Sequence, residues 1–332
     1  IPDRSVPPKA NLPSEPQDVL ATWTLLWILA MEEYHRYTGD PDRLRPLYEP
    51  LKGYVRLFTD QVHPATGLLR CRWHTMMDWA FMETPTGTEI AHLNAELARV
   101  LEAMGILADA LGHGADARSF RIQAEALRVR IAASLWDDAR GCFADCRYPD
   151  GTLSAGTSLQ TQSMLRLCGC CTPDQAARVD RLLAGEASVA DMTAIGSPFA
   201  SFFLYEALRM SRRIGPVLSD IRTRWGDMLD AGATTCYETF AGWEKNKRTR
   251  SHCHAWSAAP AFVLGAHILG VAPAGPGFAA VDVLPDLGDL PWAEGEIPTP
   301  RGPIGIRVER IGPGDEGLRI ALRLPSGIRL AA

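Results

Sequence analysis

Nowhere in this sequence do apolar residues run unbroken for the ~18 positions that a membrane-spanning helix needs, so no helical membrane span, and no membrane partner, is expected. An excess of positive charge is also missing. Lys and Arg number 34 against 39 Asp and Glu, the formal net charge is -5, and the one dense basic run, Lys245–Arg250, is short. That balance argues against nucleic acid, and the run reads first as a solvated loop face. Cysteine is sparse: eight residues do not make a disulfide scaffold. Cys168 and Cys171 form a C-x-x-C, but no second pair stands at finger spacing, so buried or idle thiols are expected. His252 and His254 are two apart and would diverge on a helix, so no metal site is assigned and no cofactor is called for. Ile1–Pro13 is proline-rich and polar with no export signal visible, and the start on Ile rather than Met leads to the expectation of residues upstream. The compartment, cytoplasmic or periplasmic, stays open, as does the oligomeric state.

What is present is ample material for a core: 46% of the 332 residues are hydrophobic. Ser14 to Gln17 has the form of a capping box, and Trp23, Leu26, Trp27, Ala30, Tyr34 and Tyr37 then recur at three and four, which predicts a helix ending at Gly39. A second helical segment from Asp40 carries Leu44, Leu51, Tyr54 and Phe58, with Pro46 and Pro50 expected to break it in two. Thr86 to Glu89 has the form of another capping box, opening an apolar stripe from Ile90 to Leu111. Phe120, Leu127, Ile131 and Leu135 mark a further helix, and Trp136 to Phe143 reads as a tight β-turn. Helices are then expected over Ser158–Cys170, Pro173–Leu183, Ser197–Arg212, Pro216–Ala231 and His254–Leu269. Periodicity supports an all-α, hairpin-stacked arrangement. After Val271 the texture changes. Ile304, Ile306 and Val308, then Leu318, Ile320, Leu322 and Leu324, alternate with polar or small residues across a glycine-rich turn, as in a half-buried antiparallel hairpin.

Two stretches carry chemistry. HPATGLLRCRWHTMMDWAFMETPTG, between helices, gathers Arg72, Trp73, His74, Asp78, Trp79 and Glu83. AGATTCYETFAGWEKNKRTRSHCHAWSAAP, over 231–260, sets Glu238 between Tyr237 and Phe240, adds Trp243 and Glu244, and closes on His252, His254 and Trp256. Aromatic faces beside carboxylates suit a sugar pocket, because pyranose C–H faces stack on indoles while carboxylates bind hydroxyls and move protons. The plainer alternative is that such rings merely wedge a long loop, and that Glu244 pairs with Lys245 or Lys247 at the surface.

GATTCYETF and SHCHAWSAAP resemble, in order and spacing, the aromatic-Glu loop and the His-Ala-Trp helix start of the α-L-rhamnosidases of glycoside hydrolase family 78. GEIPTPRGPIGIRVER and LRLPSG are similar to that family's C-terminal strands. The resemblance implies a mainly α fold, an (α/α)6 toroid of helical hairpins with an incomplete ring here over 1–273, then a small antiparallel β-sandwich over 274–332. It also implies inverting hydrolysis of terminal α-L-rhamnosides, with a rhamnose-containing glycoside as partner. Glu238 is then the general base, and Asp78, Trp79, Tyr237, Trp243 and His254 contact the sugar, with Trp256 mainly packing. In such chemistry an acid protonates the leaving oxygen while a carboxylate on the opposite face activates water. The family's acid lies in an Arg-Asp-Glu-Arg-x-x-Trp type motif that has no match here, so the expectation is an N-terminally incomplete enzyme, or else a relative that has lost hydrolysis. Tyr237 and Phe240 replace tryptophans that many relatives carry, which leaves room for another sugar. The rival classes are a toroid glycosidase for a different sugar and a carbohydrate-binding protein without turnover.

Overall fold

The computed structural model describes residues 19–242, 248–312 and 317–331. The expected capping box at Ser14, together with Trp243, Glu244, Lys245 and Lys247, lies outside the described residues. The chain divides into two compact units, one holding the residues before Tyr34 with Pro41–Ile195, the other Tyr34–Asp40 with the residues from Gly196 on.

The first helix, α1 (Ala21–Thr38), runs from one unit into the next and stops at Gly39, whose φ of 68° belongs to the left-handed region that ends helices. In the first unit a 3-10 turn, Arg45–Leu47, leads into α2 (Tyr48–Thr59), which buries Tyr48, Leu51, Tyr54, Val55 and Phe58 on one side. The break expected at Pro50 does not occur. Pro50 sits in the first turn of α2, where the missing N–H would have had no partner, and only Pro46 marks an interruption. A short strand β1 (Glu89–Ile90) then opens α3 (Ala91–Ala110), which is buried on nearly every side and packs along α4 (Gly114–Ser134). The strands β2 (Trp136–Asp137) and β3 (Cys142–Phe143) close the expected turn as a hairpin, and β4 (Cys146–Arg147) pairs antiparallel with β1. Two further helices, α5 (Leu159–Leu167) and α6 (Pro173–Leu183), form a second hairpin, with Thr172 and Gln175 making a reciprocal capping box.

The box expected at Thr86–Glu89 is a correction. Ile90 is the N-cap and offers no side-chain acceptor. Glu89 is fully buried and takes Arg70, at 3.0 Å, Arg147, at 2.9 Å, and the Thr66 hydroxyl, at 2.6 Å, instead. Cys168 and Cys170, at the α5–α6 turn, are buried and unoxidised, and burial pushes the Cys168 thiol up to about 12. Such thiols are poor nucleophiles.

In the second unit α7 (Pro198–Met210) and α8 (Ile214–Asp230) form another antiparallel hairpin. The single helix expected over His254–Leu269 is instead three pieces: a 3-10 turn at Ala255–Ser257, α9 (Ala259–Val263) and a π-helical turn at Leu264–Ile268. Pro260, in the first turn of α9, has no N–H to carry the ladder back toward Trp256. Next come β5 (Val271–Pro273) and β6 (Ala280–Val283), then β7 (Trp292–Ile297), β8 (Ile304–Arg310) and β9 (Leu318–Arg323), and last β10 (Arg329–Leu330). They make two three-stranded sheets, β10-β6-β5 and β7-β8-β9. The antiparallel pair β8–β9 is the expected hairpin, with Ile306 opposite Leu322 and Val308 opposite Ile320. Ile304, Ile306 and Val308 are buried, whereas Ile320 is exposed, so β9 is only half covered. The parallel pairing of β10 with β6 is a feature that alternation does not reveal.

Candidate active site

Among the described residues from Ala231 to Ala258 the 3-10 turn at Ala255–Ser257 is the one regular element, and side chains that bond the loop's carbonyls supply the rest of the order. The Trp225 indole on α8 donates to the Ser257 carbonyl at 2.9 Å, the Ser257 hydroxyl donates to the Tyr237 carbonyl at 2.6 Å, and the Trp256 indole donates to the Glu238 carbonyl at 2.8 Å. Two backbone bonds join the halves of the loop: Glu238 N–H to the Ser251 carbonyl, and His254 N–H to the Cys236 carbonyl. Glu238 is thereby gripped through its own main chain, which frees its side chain for other work.

The Glu238 side chain is 13% exposed. His254 Nδ1 lies 3.6 Å from one carboxylate oxygen and Arg250 Nε lies 4.0 Å from the other. Both separations exceed a normal hydrogen bond, so the flanking groups do not fill the oxygens' acceptor capacity. The His254 ring leans on the Trp256 indole with centroids 4.5 Å apart, and Phe199 near the start of α7 meets the other side of that indole at 5.4 Å. Tyr237 is buried and meets His252 edge-on. Phe240 packs on Trp225 and under the Arg224 guanidinium. A carboxylate so placed, with an imidazole and a guanidinium beside it and an aromatic wall behind, can hold a water or a sugar hydroxyl and accept its proton.

In the first unit Asp78 is buried, with one oxygen accepting from the Gln160 amide at 2.6 Å and the other from the Trp79 backbone N–H at 2.8 Å. It lines a hollow of about 170 Å³ together with His74, Met76 and Met82. Trp79 is half-buried beside it. Glu83 is taken up differently. One of its oxygens accepts from the Tyr148 hydroxyl, the other from the Gly156 N–H at 2.7 Å, and its own N–H donates to Asp145. That bond to Glu83 heads the causes that push the Tyr148 hydroxyl up to about 12. Asp145 is buried and accepts from the hydroxyls of Ser158 and Thr161.

Of the residues singled out from sequence, Tyr237, Glu238 and His254 come together in the second unit, and Asp78 and Trp79 stand together in the first; Trp243 is outside the described residues. The sequence reading passed over Gln160, which sits in a run of buried polar residues on α5, and Phe199, on α7. An amphipathic helix that buries a glutamine at its first turn is the signal that would have found the former. Among the described residues no group of three or more His, Cys, Asp or Glu is placed to hold a metal ion, and no helix is long and apolar enough to cross a membrane.

A family model described as the bacterial alpha-L-rhamnosidase six-hairpin glycosidase domain matches residues 3–268. Among solved structures, the chain is similar to a GH78 family rhamnosidase of Bacillus sp. GL1, at 35% identity and a TM-score of 0.84, over 94% of this chain and 34% of that one. An α-L-rhamnosidase from Aspergillus terreus matches at 18% identity and a TM-score of 0.69, over 93% of this chain and 36% of that one. A rhamnosidase from Klebsiella oxytoca with rhamnose bound matches at 23% identity and a TM-score of 0.61, over 74% and 46%. The two low-identity matches speak for the fold alone. This chain spans about a third of the length of the first of these structures. No curated protein matches it.

Proposed function

Because the chain belongs to the bacterial α-L-rhamnosidase six-hairpin glycosidase family, we propose that it forms the catalytic part of a glycoside hydrolase that cleaves terminal α-L-rhamnosides with inversion, Glu238 acting as general base. The observation that carries the reading is the state of that carboxylate: held through its own carbonyl by Trp256, 13% exposed, and flanked by His254 and Arg250 beyond hydrogen-bond length. Its oxygens can therefore take a water's hydrogen, as a general base must.

On this reading His254 also contacts the sugar's hydroxyls, Trp256 backs the imidazole, and Asp78 and Trp79 are further substrate-binding residues. Tyr237, buried against His252, acts through the loop's shape, and Trp243, outside the described residues, is kept as a proposed sugar contact. The boundary between the catalytic helical domain and the β domain is placed after 273, where β5 (Val271–Pro273) ends. No residue is assigned as the general acid, and the carboxylate oxygens of Asp78 and Glu83 each accept a hydrogen bond. Single displacement requires the acid to stand across the sugar from Glu238, leaving room for water.

The test is Glu238→Gln in the full protein, assayed on an aryl α-L-rhamnoside, with the first-formed anomer read by NMR. Turnover should fall by at least about 10²-fold, as is typical for loss of a general base, and wild type should release β-L-rhamnose first. A loss below about tenfold removes Glu238 from the base role. Calorimetric binding of rhamnose with no turnover in wild type would favour a carbohydrate-binding protein instead.

A further inference from the structure

The turn that joins α7 to α8 carries Arg209, Arg212 and Arg213, and these three residues line a cavity of about 200 Å³. Surface arginines alone make no site, and Arg209 has an ordinary explanation in the carbonyls that end α7. Three further observations point to a ligand. His267, on the π-helical turn, also lines the cavity and is only 3% exposed. Its Nε2 is bonded to Glu206, and its Nδ1 has no partner among the described residues. An unmet buried imidazole nitrogen is costly and uncommon unless something fills it. The cavity also meets the first residue of α8, whose N-cap Arg213 offers no side-chain acceptor and whose first turn has no acid, so the helix presents an uncompensated positive end. Finally, Arg212 holds φ of 56°, a left-handed conformation unusual for arginine, at the turn that lines the cavity.

The remaining lining narrows the ligand. With Nε2 bonded to the Glu206 carboxylate, Nδ1 is left for a polar group of the ligand, and a hydroxyl, which both donates and accepts, meets it in either form of the ring. Asp286, whose carboxylate accepts from the Gly288 N–H at 3.1 Å, is in the same wall and can take a hydroxyl as well. Leu284 is 62% exposed there and provides an apolar face. Cations for a charged group, acceptors for hydroxyls and an apolar wall for C–H groups together describe an acidic sugar. The cavity lies below the ~300–1,000 Å³ of drug-sized ligand sites, which suits one small unit. We propose that this turn binds a single acidic sugar unit, a hexuronate or a similar hydroxylated carboxylate. Arg209 follows Phe199, the residue against Trp256, by ten positions of α7, or ~15 Å along the helix, so the pocket is distinct from the Glu238 loop. The inference stands whether or not Glu238 is a catalytic base.

The test is calorimetric titration of the full protein with D-glucuronate, inorganic phosphate and sulfate at constant ionic strength. Glucuronate should bind saturably at one site, and Glu238→Gln should leave that binding intact. Arg212→Gly, which removes a guanidinium where glycine is at ease, and Arg209→Gln, at an exposed position, should each weaken it by about tenfold or more, the usual effect of losing a charge-assisted hydrogen bond. Sulfate, which has no hydroxyl to give Nδ1, should bind more weakly than glucuronate. Absence of saturable glucuronate binding overturns the proposal, and so does unchanged affinity in both arginine variants. Binding of phosphate and sulfate as tight as that of glucuronate overturns the acidic-sugar assignment.

Discussion

Replacing Glu89 by Gln removes a charge that the first unit has built around. The residue stands at the entry to α3, opposite Arg147 in the β1–β4 pair, and its side chain is fully buried. Burial alone would raise its carboxyl, but the Thr66 hydroxyl, Arg147 and Arg70 outweigh that and hold it below the usual carboxylate range. Breaking a buried ion pair typically costs about 3–5 kcal/mol because the partner charge is left without compensation. Here the two guanidiniums are 21% and 24% exposed and can recover some hydration, and glutamine keeps one acceptor, so about 2–4 kcal/mol is expected at pH 7. For a unit of this size that corresponds to a fall in Tm of about 5–10 °C. The pH dependence follows from the direction of the shift. A depressed carboxyl contributes stability that is fully present above its unfolded value near ~4.3 and is lost as pH falls through its folded value. The gap between wild type and variant should therefore be constant from pH 7 to about 5.5 and shrink steadily below about 4. Thermal unfolding followed by tryptophan fluorescence at a series of pH values measures both. A drop in Tm below about 1 °C at pH 7, or a gap that widens on acidification, refutes the account.

Gly270 and the thiols give two further expectations. Gly270 has φ of 70°, and a Cβ there would overlap the Leu284 carbonyl group and the Pro285 nitrogen, so Gly270→Ala should cost at least about 2–3 kcal/mol and lower the urea midpoint of the second unit; an unchanged midpoint would show that the β5–β6 edge can move aside. Disulfide reagent at pH 8 should label Cys253 first and Cys236 next, while Cys168, Cys170 and Cys171, whose thiols burial pushes up, react only on unfolding. Rapid labelling at Cys171 in the folded protein would contradict that order.

The parts of the fold that follow from local pattern were legible in the sequence. The stripe from Ile90 to Leu111 and the glycines at 39 and 112, both left-handed, mark helices whose ends agree with the structure to within a residue or two. Local pattern failed where a distant residue competed for the same group. Glu89 had the spacing of a capping box, yet two arginines 19 and 58 positions away claimed its carboxylate. The helix expected from His254 is interrupted where Ser257 bonds the Tyr237 carbonyl, 20 residues back, and takes the Trp225 indole on its own carbonyl. The strand β7 was missed because WAEGEI, whose residues are alternately exposed, has no run of apolar residues on either face. Within the candidate site, Glu238 and its neighbours were legible because they share one 30-residue stretch. The bond from Gln160 to Asp78 spans 82 positions, and no periodicity points to it.

That difference in sequence range bears on how the Glu238 loop works. A loop without ladders of its own would sample many conformations, and fixing each residue's backbone costs about 1–2 kcal/mol. Indole N–H groups and a serine hydroxyl meet that cost at Ser257, Tyr237 and Glu238, each bond contributing about 1 kcal/mol and each anchored in a ring or helix already packed for other reasons. Trp225 is buried against Tyr205 and Phe240 on α8, and Trp256 is wedged between His254 and Phe199 of α7. The helical hairpin α7–α8 thus sets the position of the Glu238 main chain, while the side chain is left between an imidazole and a guanidinium that do not close on it. Positioning is assigned to the scaffold and reactivity to the loop, so substitutions at Trp225 and at Glu238 affect different properties of the same carboxylate: its place in the first case, its charge in the second.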